Sequence, residues 1–136
     1  MADFLQAYKL TVGEEGLYSN DAGDSGGETV LGLTRNADGS WDGWKLVDQY
    51  KSKPNFPDNL NGIKSALDTL AKPYYKKKYW DKIRGDEIKN QQEANRIYDT
   101  YVNTGSSGVI LAQRAMGIIE TGFMDDHTLN TLNNLA

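Results

Sequence analysis

From Glu15 to Thr34 the chain reads E-G-L-Y-S-N-D-A-G-D-S-G-G-E-T-V-L-G-L-T. Upstream, Asp3 has the character of an N-cap, and Phe4, Ala7, Tyr8, Thr11 and Val12 recur at helical spacing, which predicts a helix ending near Gly13 to Gly16. Tyr18 to Gly27 is then dense in turn formers, and Glu28 to Thr34 has β propensity. A short hairpin or small sheet is expected here, extending through Asp38 and Gly39 towards Trp41.

Downstream the pattern is helical. Trp44, Val47 and Lys51 share a register, and Pro54, Phe56 and Pro57 break it. A helix from Asp58 or Asn59 is expected to bury Ile63, Ala66, Leu67 and Leu70, with Pro73 interrupting or restarting it before Tyr75, Tyr79 and Trp80. Gln91 to Thr104 carries an apolar stripe of Ala94, Ile97, Tyr98, Tyr101 and Val102. Val109 to Met116 forms the next helix, closed by Gly117, and Asp125 or Asp126 caps a last one carrying Leu129, Leu132 and Leu135. The class that follows is mainly α (α+β), a helical domain with a small β-hairpin insert near its start. With no repeat or linker, residues 1–136 are read as a single domain.

Composition narrows the function. At 136 residues, 38% hydrophobic and 25% charged, the chain can bury a core without cross-links. It has no cysteine, which rules out disulfides and thiolate zinc sites. Its apolar runs are too short for a membrane span, so no stable membrane association is expected. The first residues lack the basic flank and apolar stretch of a signal peptide. The net charge of −4 is segregated: −6 over residues 1–48, +6 over 49–84 and −4 over 85–136. Acidic flanks repel phosphates, which argues against nucleic acid as a partner. The basic middle reads as a solvated helix face or as a contact for an anionic polymer.

Glu15 sits where a helix gives way to the glycine-rich segment that carries Asp24 and Thr29. Glycosidic cleavage needs one carboxyl group kept neutral to protonate the leaving oxygen, and commonly a second, ionised one to activate water or act as nucleophile. The negative end of a helix dipole and partial burial both disfavour a carboxylate, which suits Glu15 to the first task. Asp24, on a polar turn, stays ionised. It is read either as the second carboxylate or as an Asx-turn residue bonding its own backbone amides. Thr29 is either a hydroxyl holding the water or an ordinary strand residue.

The stretch resembles the signature of glycoside hydrolase family 108, approximately E-G-G-x-x-x-D-P-x-D-x-G-G-x-T-x-x-G-I-T. Glu15, Gly16, Asp21, Asp24, Gly26, Gly27, Thr29, Gly32 and Thr34 fall on matching positions. The spacing is also similar to the E-x8-D-x5-T arrangement of T-even bacteriophage lysozymes, with Thr29 one residue early. Tyr79-Trp80, Tyr98-Asp99, Val102-Asn103, Gly105 and Gln113-x-x-Met116-Gly117 match the family's second half. Gly122 to Leu129, within the helical segment 91–136, resembles its peptidoglycan-binding part. The departures include Leu17 in place of the second glycine, Ala22 in place of proline and a shortened middle.

The resemblance implies a lysozyme-like fold and N-acetylmuramidase activity with Glu15 as the acid, needing no cofactor and no metal. Its partner would be the glycan strands of peptidoglycan, met by a monomer made in the cytoplasm that reaches the wall by holin-type or specialised release. Tyr18, Tyr101 and Trp80 offer rings for stacking on sugar, although Trp80 and Tyr101 also sit at core spacing. Gly32 allows close backbone approach. Asn103 either bonds an N-acetyl group or a water, or caps its own helix. Asp21, Asp24 and Glu28 do not fit a calcium loop. The rival readings are a catalytically weak wall-binding or secretion-accessory module that keeps the fold, and a chitinase-like enzyme.

Overall fold

A computed structural model of the chain describes residues 1–13, 17–20 and 27–135. Six α-helices and a three-stranded antiparallel sheet follow in the order α1 (Phe4–Gly13), β1 (Tyr18–Ser19), β2 (Thr29–Val30), β3 (Leu33–Thr34), α2 (Gly43–Lys51), α3 (Lys64–Tyr75), α4 (Gln91–Thr104), α5 (Ser107–Met116) and α6 (Asp126–Asn133). Short stretches of 3-10 and π-helix link the middle ones. These elements fall into two compact units, one of Met1–Thr11 with Tyr75–Ala136 and one of Val12–Tyr74. Among the described residues no helix is long and apolar enough to cross a membrane.

The sheet of the second unit ends at Thr34 rather than running on to Trp41. Asp38 explains the early stop. It is 3% exposed, and its carboxylate accepts the Thr34 backbone N–H at 3.0 Å and the Tyr74 hydroxyl at 3.1 Å. Its carbonyl accepts the Trp44 indole N–H at 2.8 Å, so the segment folds into turns around one buried side chain. Trp41 packs edge-on against Trp44 with centroids 5.5 Å apart, and both rings are buried. The stripe of α3 also differs from the expected one. Leu60, Leu67 and Ala71 are buried, while Ala66 and Leu70 face outward, because Asp58 to Ile63 is a 3-10 turn whose tighter winding rotates the face. Pro73 lies inside α3 without ending it.

In the first unit an aromatic cluster forms the core. Phe4 meets Tyr8, Trp80 and Tyr98 at centroid distances of 5.6, 5.7 and 6.0 Å, and Tyr8 meets Tyr75 at 5.4 Å. The π-turn Lys76–Trp80 continues the helix into this core, and Gly85 lies where a Cβ would stand 2.1 Å from the Trp80 ring. Asn90 caps α4 through the Glu93 N–H. Asp125 caps α6 through the Thr128 N–H, one of the two aspartates expected there. Gly117 closes α5 at φ +72°.

Within α5, Gln113 is completely buried. Its amide nitrogen donates to the Thr121 hydroxyl at 2.9 Å, the Phe123 carbonyl at 3.1 Å and the Thr128 hydroxyl at 2.9 Å. Its oxygen accepts the Gly122 N–H at 3.0 Å. Replacing Gln113 with Leu strands these groups and is expected to cost about 2–4 kcal/mol in urea unfolding. Arg114→Ala, which breaks only an exposed pair with Glu120, is expected to cost less than about 1 kcal/mol.

Candidate active site

The hairpin that presents Thr29 is built around a two-residue turn. Leu31 and Gly32 both have positive φ, +50° and +82°, the pattern of a type I′ connection, whose twist matches that of the flanking strands. Gly32 takes that conformation freely, whereas Leu31 incurs about 1–2 kcal/mol of backbone strain. Its side chain is 2% exposed, and burial worth about 1.5–3 kcal/mol offsets the strain. Gly27, at φ +75°, likewise uses the freedom expected of the motif's glycines.

Register places Thr29 between Ser19 of β1 and Thr34 of β3. Side chains alternate along a strand, so these three hydroxyl residues form one row and Tyr18, Val30 and Leu33 form the other. Thr29 and Thr34 are half-buried, and Ser19 is exposed. Tyr18 packs its ring edge-on against Phe56 at 4.9 Å and donates its hydroxyl to Glu28 Oε2 at 2.8 Å. Burial and the neighbouring Glu28 carboxylate oppose its ionisation and push its pKa up to about 12.

Glu28 has a larger part than the sequence reading allowed. Besides Tyr18, it receives Arg35 Nε on Oε1 at 2.9 Å and Lys51 Nζ on Oε2 at 2.6 Å. Arg35 also pairs with Asp48 of α2 and lies 4.2 Å from the Trp44 ring centre. A signal was present in the sequence. Glu28 and Arg35 are equidistant from the Leu31-Gly32 turn, so hairpin register makes them a cross-strand pair, and the Arg35 N–H bonds the Glu28 carbonyl at 2.8 Å. Burial works against the Glu28 charge, but hydrogen bonds from Lys51, Tyr18 and Arg35 outweigh it and hold the carboxyl below its ordinary value.

Glu15 and Asp24 lie outside the described residues. Tyr18, Thr29 and Gly32 come together in the sheet, whereas Trp80, Tyr101 and Asn103 belong to the other unit. Trp80 requires a correction. It is fully buried between Phe4 and Tyr98, with its indole N–H donated to Asp86 at 2.8 Å, so no ring face is left for a sugar. Tyr101 is half-buried with its ring edge-on to Tyr79. Asn103 is exposed and donates its amide to the Asp99 carbonyl of its own helix at 2.9 Å. Among the described residues no three His, Cys, Asp or Glu side chains converge as a metal site would require. A shallow hollow lined by Asn61, Gly62, Lys64, Ser65 and Asp68 holds none of the motif residues.

Comparison with known proteins connects this hairpin to a family. The family model described as Glycosyl hydrolase 108 matches residues 8–105. The chain belongs to glycosyl hydrolase family 108. No curated protein matches it. Among solved structures, the family-108 chain is similar to the structure of Brucella abortus SagA, with a TM-score of 0.68 and 23% identity over 98% of this chain and 70% of that one. That likeness concerns the fold, and it agrees with the α+β, lysozyme-like class expected from the sequence. Family-108 membership supports a peptidoglycan-hydrolase type of function in general.

A carboxyl group whose folded pKa is depressed adds stability above its unfolded pKa and loses it as pH falls through the folded one. Glu28 is therefore expected to titrate below the ordinary glutamate range by carboxyl-carbon NMR. Glu28→Gln should remove part of the acid-side fall in melting temperature.

Proposed function

We propose that this chain is a peptidoglycan N-acetylmuramidase that cleaves the β-1,4 bond from N-acetylmuramic acid to N-acetylglucosamine, with Glu15 as the general acid. The observation that carries the reading is the match of Glu15, Asp24 and Thr29 to the family signature, within a family match covering residues 8–105. Two further facts support it. Helix α1 ends at Gly13, two positions before Glu15 in the sequence. Thr29 stands in a row of hydroxyls on the sheet, a surface suited to water and sugar hydroxyls.

In the proposed reaction Glu15 donates its proton to the glycosidic oxygen as the C–O bond breaks, and positive charge develops at the anomeric carbon. Asp24, ionised, stabilises that charge, and Thr29 helps to hold the water whose oxygen forms the new bond to that carbon. The water loses a proton as that bond forms, and a proton returned to Glu15 restores the starting state. Tyr18 and Gly32, which flank Thr29 in the hairpin unit, are proposed as sugar contacts. No cofactor is invoked.

Turbidity loss of purified cell walls is the first test. Glu15→Gln is expected to lower the rate by at least about 100-fold without changing the fold. Mass spectrometry of the digest should show N-acetylmuramic acid at the new reducing ends. A wild type that clears nothing would overturn the enzyme reading in favour of a wall-binding or secretion-accessory module. Preferential cutting of chitin oligomers would point to a chitinase-like specificity instead.

A further inference from the structure

We propose that Glu28 is a positioning residue for this chemistry, its carboxylate binding the three short strands to one another so that Thr29 is held in a fixed place on β2. The inference rests on the muramidase reading above. Each strand is two residues long, and the register comprises four residue pairs, Tyr18–Val30, Ser19–Thr29, Thr29–Thr34 and Val30–Leu33. So short a ladder is marginal by itself.

Glu28 supplies what the ladder lacks. Its two oxygens take a hydroxyl from β1 (Tyr18), a guanidinium from the residue after β3 (Arg35) and an ammonium from α2 (Lys51). One side chain, at the residue before β2, thereby joins β1, the residue that follows β3 and α2. The arrangement is stiff because Arg35 is held a second time by Asp48 and stacks on Trp44, while the Glu28 side chain is only 12% exposed. An ion pair serving stability alone would need only one such partner. Charge-assisted bonds to three separate elements instead fix geometry. Glu28 is adjacent to Thr29 in the chain, so any slackening of this carboxylate reaches the Thr29 backbone directly. Displacements on the order of 1 Å at a reacting group cost about 100-fold in rate.

The test is a double-mutant cycle on soluble, uncrosslinked peptidoglycan strands. It compares wild type, Glu28→Ala, Thr29→Val and the double variant, with Glu28→Gln added, all assayed well below their melting temperatures. Positioning through Thr29 predicts that Glu28→Ala lowers kcat by about tenfold or more with KM within about threefold. The double variant should be hardly slower than Thr29→Val, and Glu28→Gln, which keeps the shape and a hydrogen-bond acceptor, should recover part of the rate. A merely structural residue would lower the melting temperature and leave kcat per folded molecule unchanged, which overturns the proposal. Multiplying losses in the double variant overturn it as well. Activity that Glu15→Gln abolishes, together with multiplying losses, ends the Glu28 proposal alone. A wild type that cuts no strands ends both.

Discussion

The half-buried carboxylate of Glu28 is the interaction on which the sheet depends. Two-residue strands offer few backbone bonds, and their register is weakly specified by the ladder alone. Bonds from Tyr18, Arg35 and Lys51 to one side chain turn three short strands and α2 into a single object. Taking a carboxylate out of water is costly, and the arrangement is favourable because both oxygens are fully engaged. Asp38 performs a similar service a few residues later, closing the turns after β3 on the Thr34 amide and the Tyr74 hydroxyl. Polar side chains thus do here what a longer strand ladder would do elsewhere.

The first unit is stabilised differently. Its core is a packed set of rings, Phe4, Tyr8, Tyr75, Trp80 and Tyr98, in tilted and edge-to-face contacts that add to the benefit of burying large apolar surfaces. Space around Trp80 is so limited that Gly85 leaves no room for even a methyl group. Arg84, left-handed at φ +54°, turns the chain there and pairs with Glu87 and Asp126. That turn leads into α4, whose far end carries Tyr101 and Asn103.

Much of this was legible in the residues. The stripe of α4, the cap at Asp125, the closing Gly117 and the hairpin at Thr29 to Thr34 all follow from local chemistry, because periodicity, capping and turn geometry are set within a few positions. The family signature was legible for the same reason. The failures involve long-range packing. Trp80 sits at core spacing and also offered a ring for a sugar, and the contacts from Phe4 and Tyr98 decide for the core. The face of α3 was misread because a 3-10 turn changes the residue period before the helix begins. Asp38 went unnoticed because its partners Tyr74 and Trp44 come from helices that follow it in the chain.

Gln113 carries a consequence for how this part of the chain can evolve. Its amide is joined to positions 121, 122, 123 and 128, a span that includes the connection from α5 to α6. Inserting or deleting a residue between Gly117 and Thr128 would shift these atoms out of reach of one buried group. The connection is therefore length-constrained, while its outward side chains, Ile119 and Phe123 among them, are free to vary in kind. Relatives that keep the glutamine should diverge here by substitution and hardly at all by gaps.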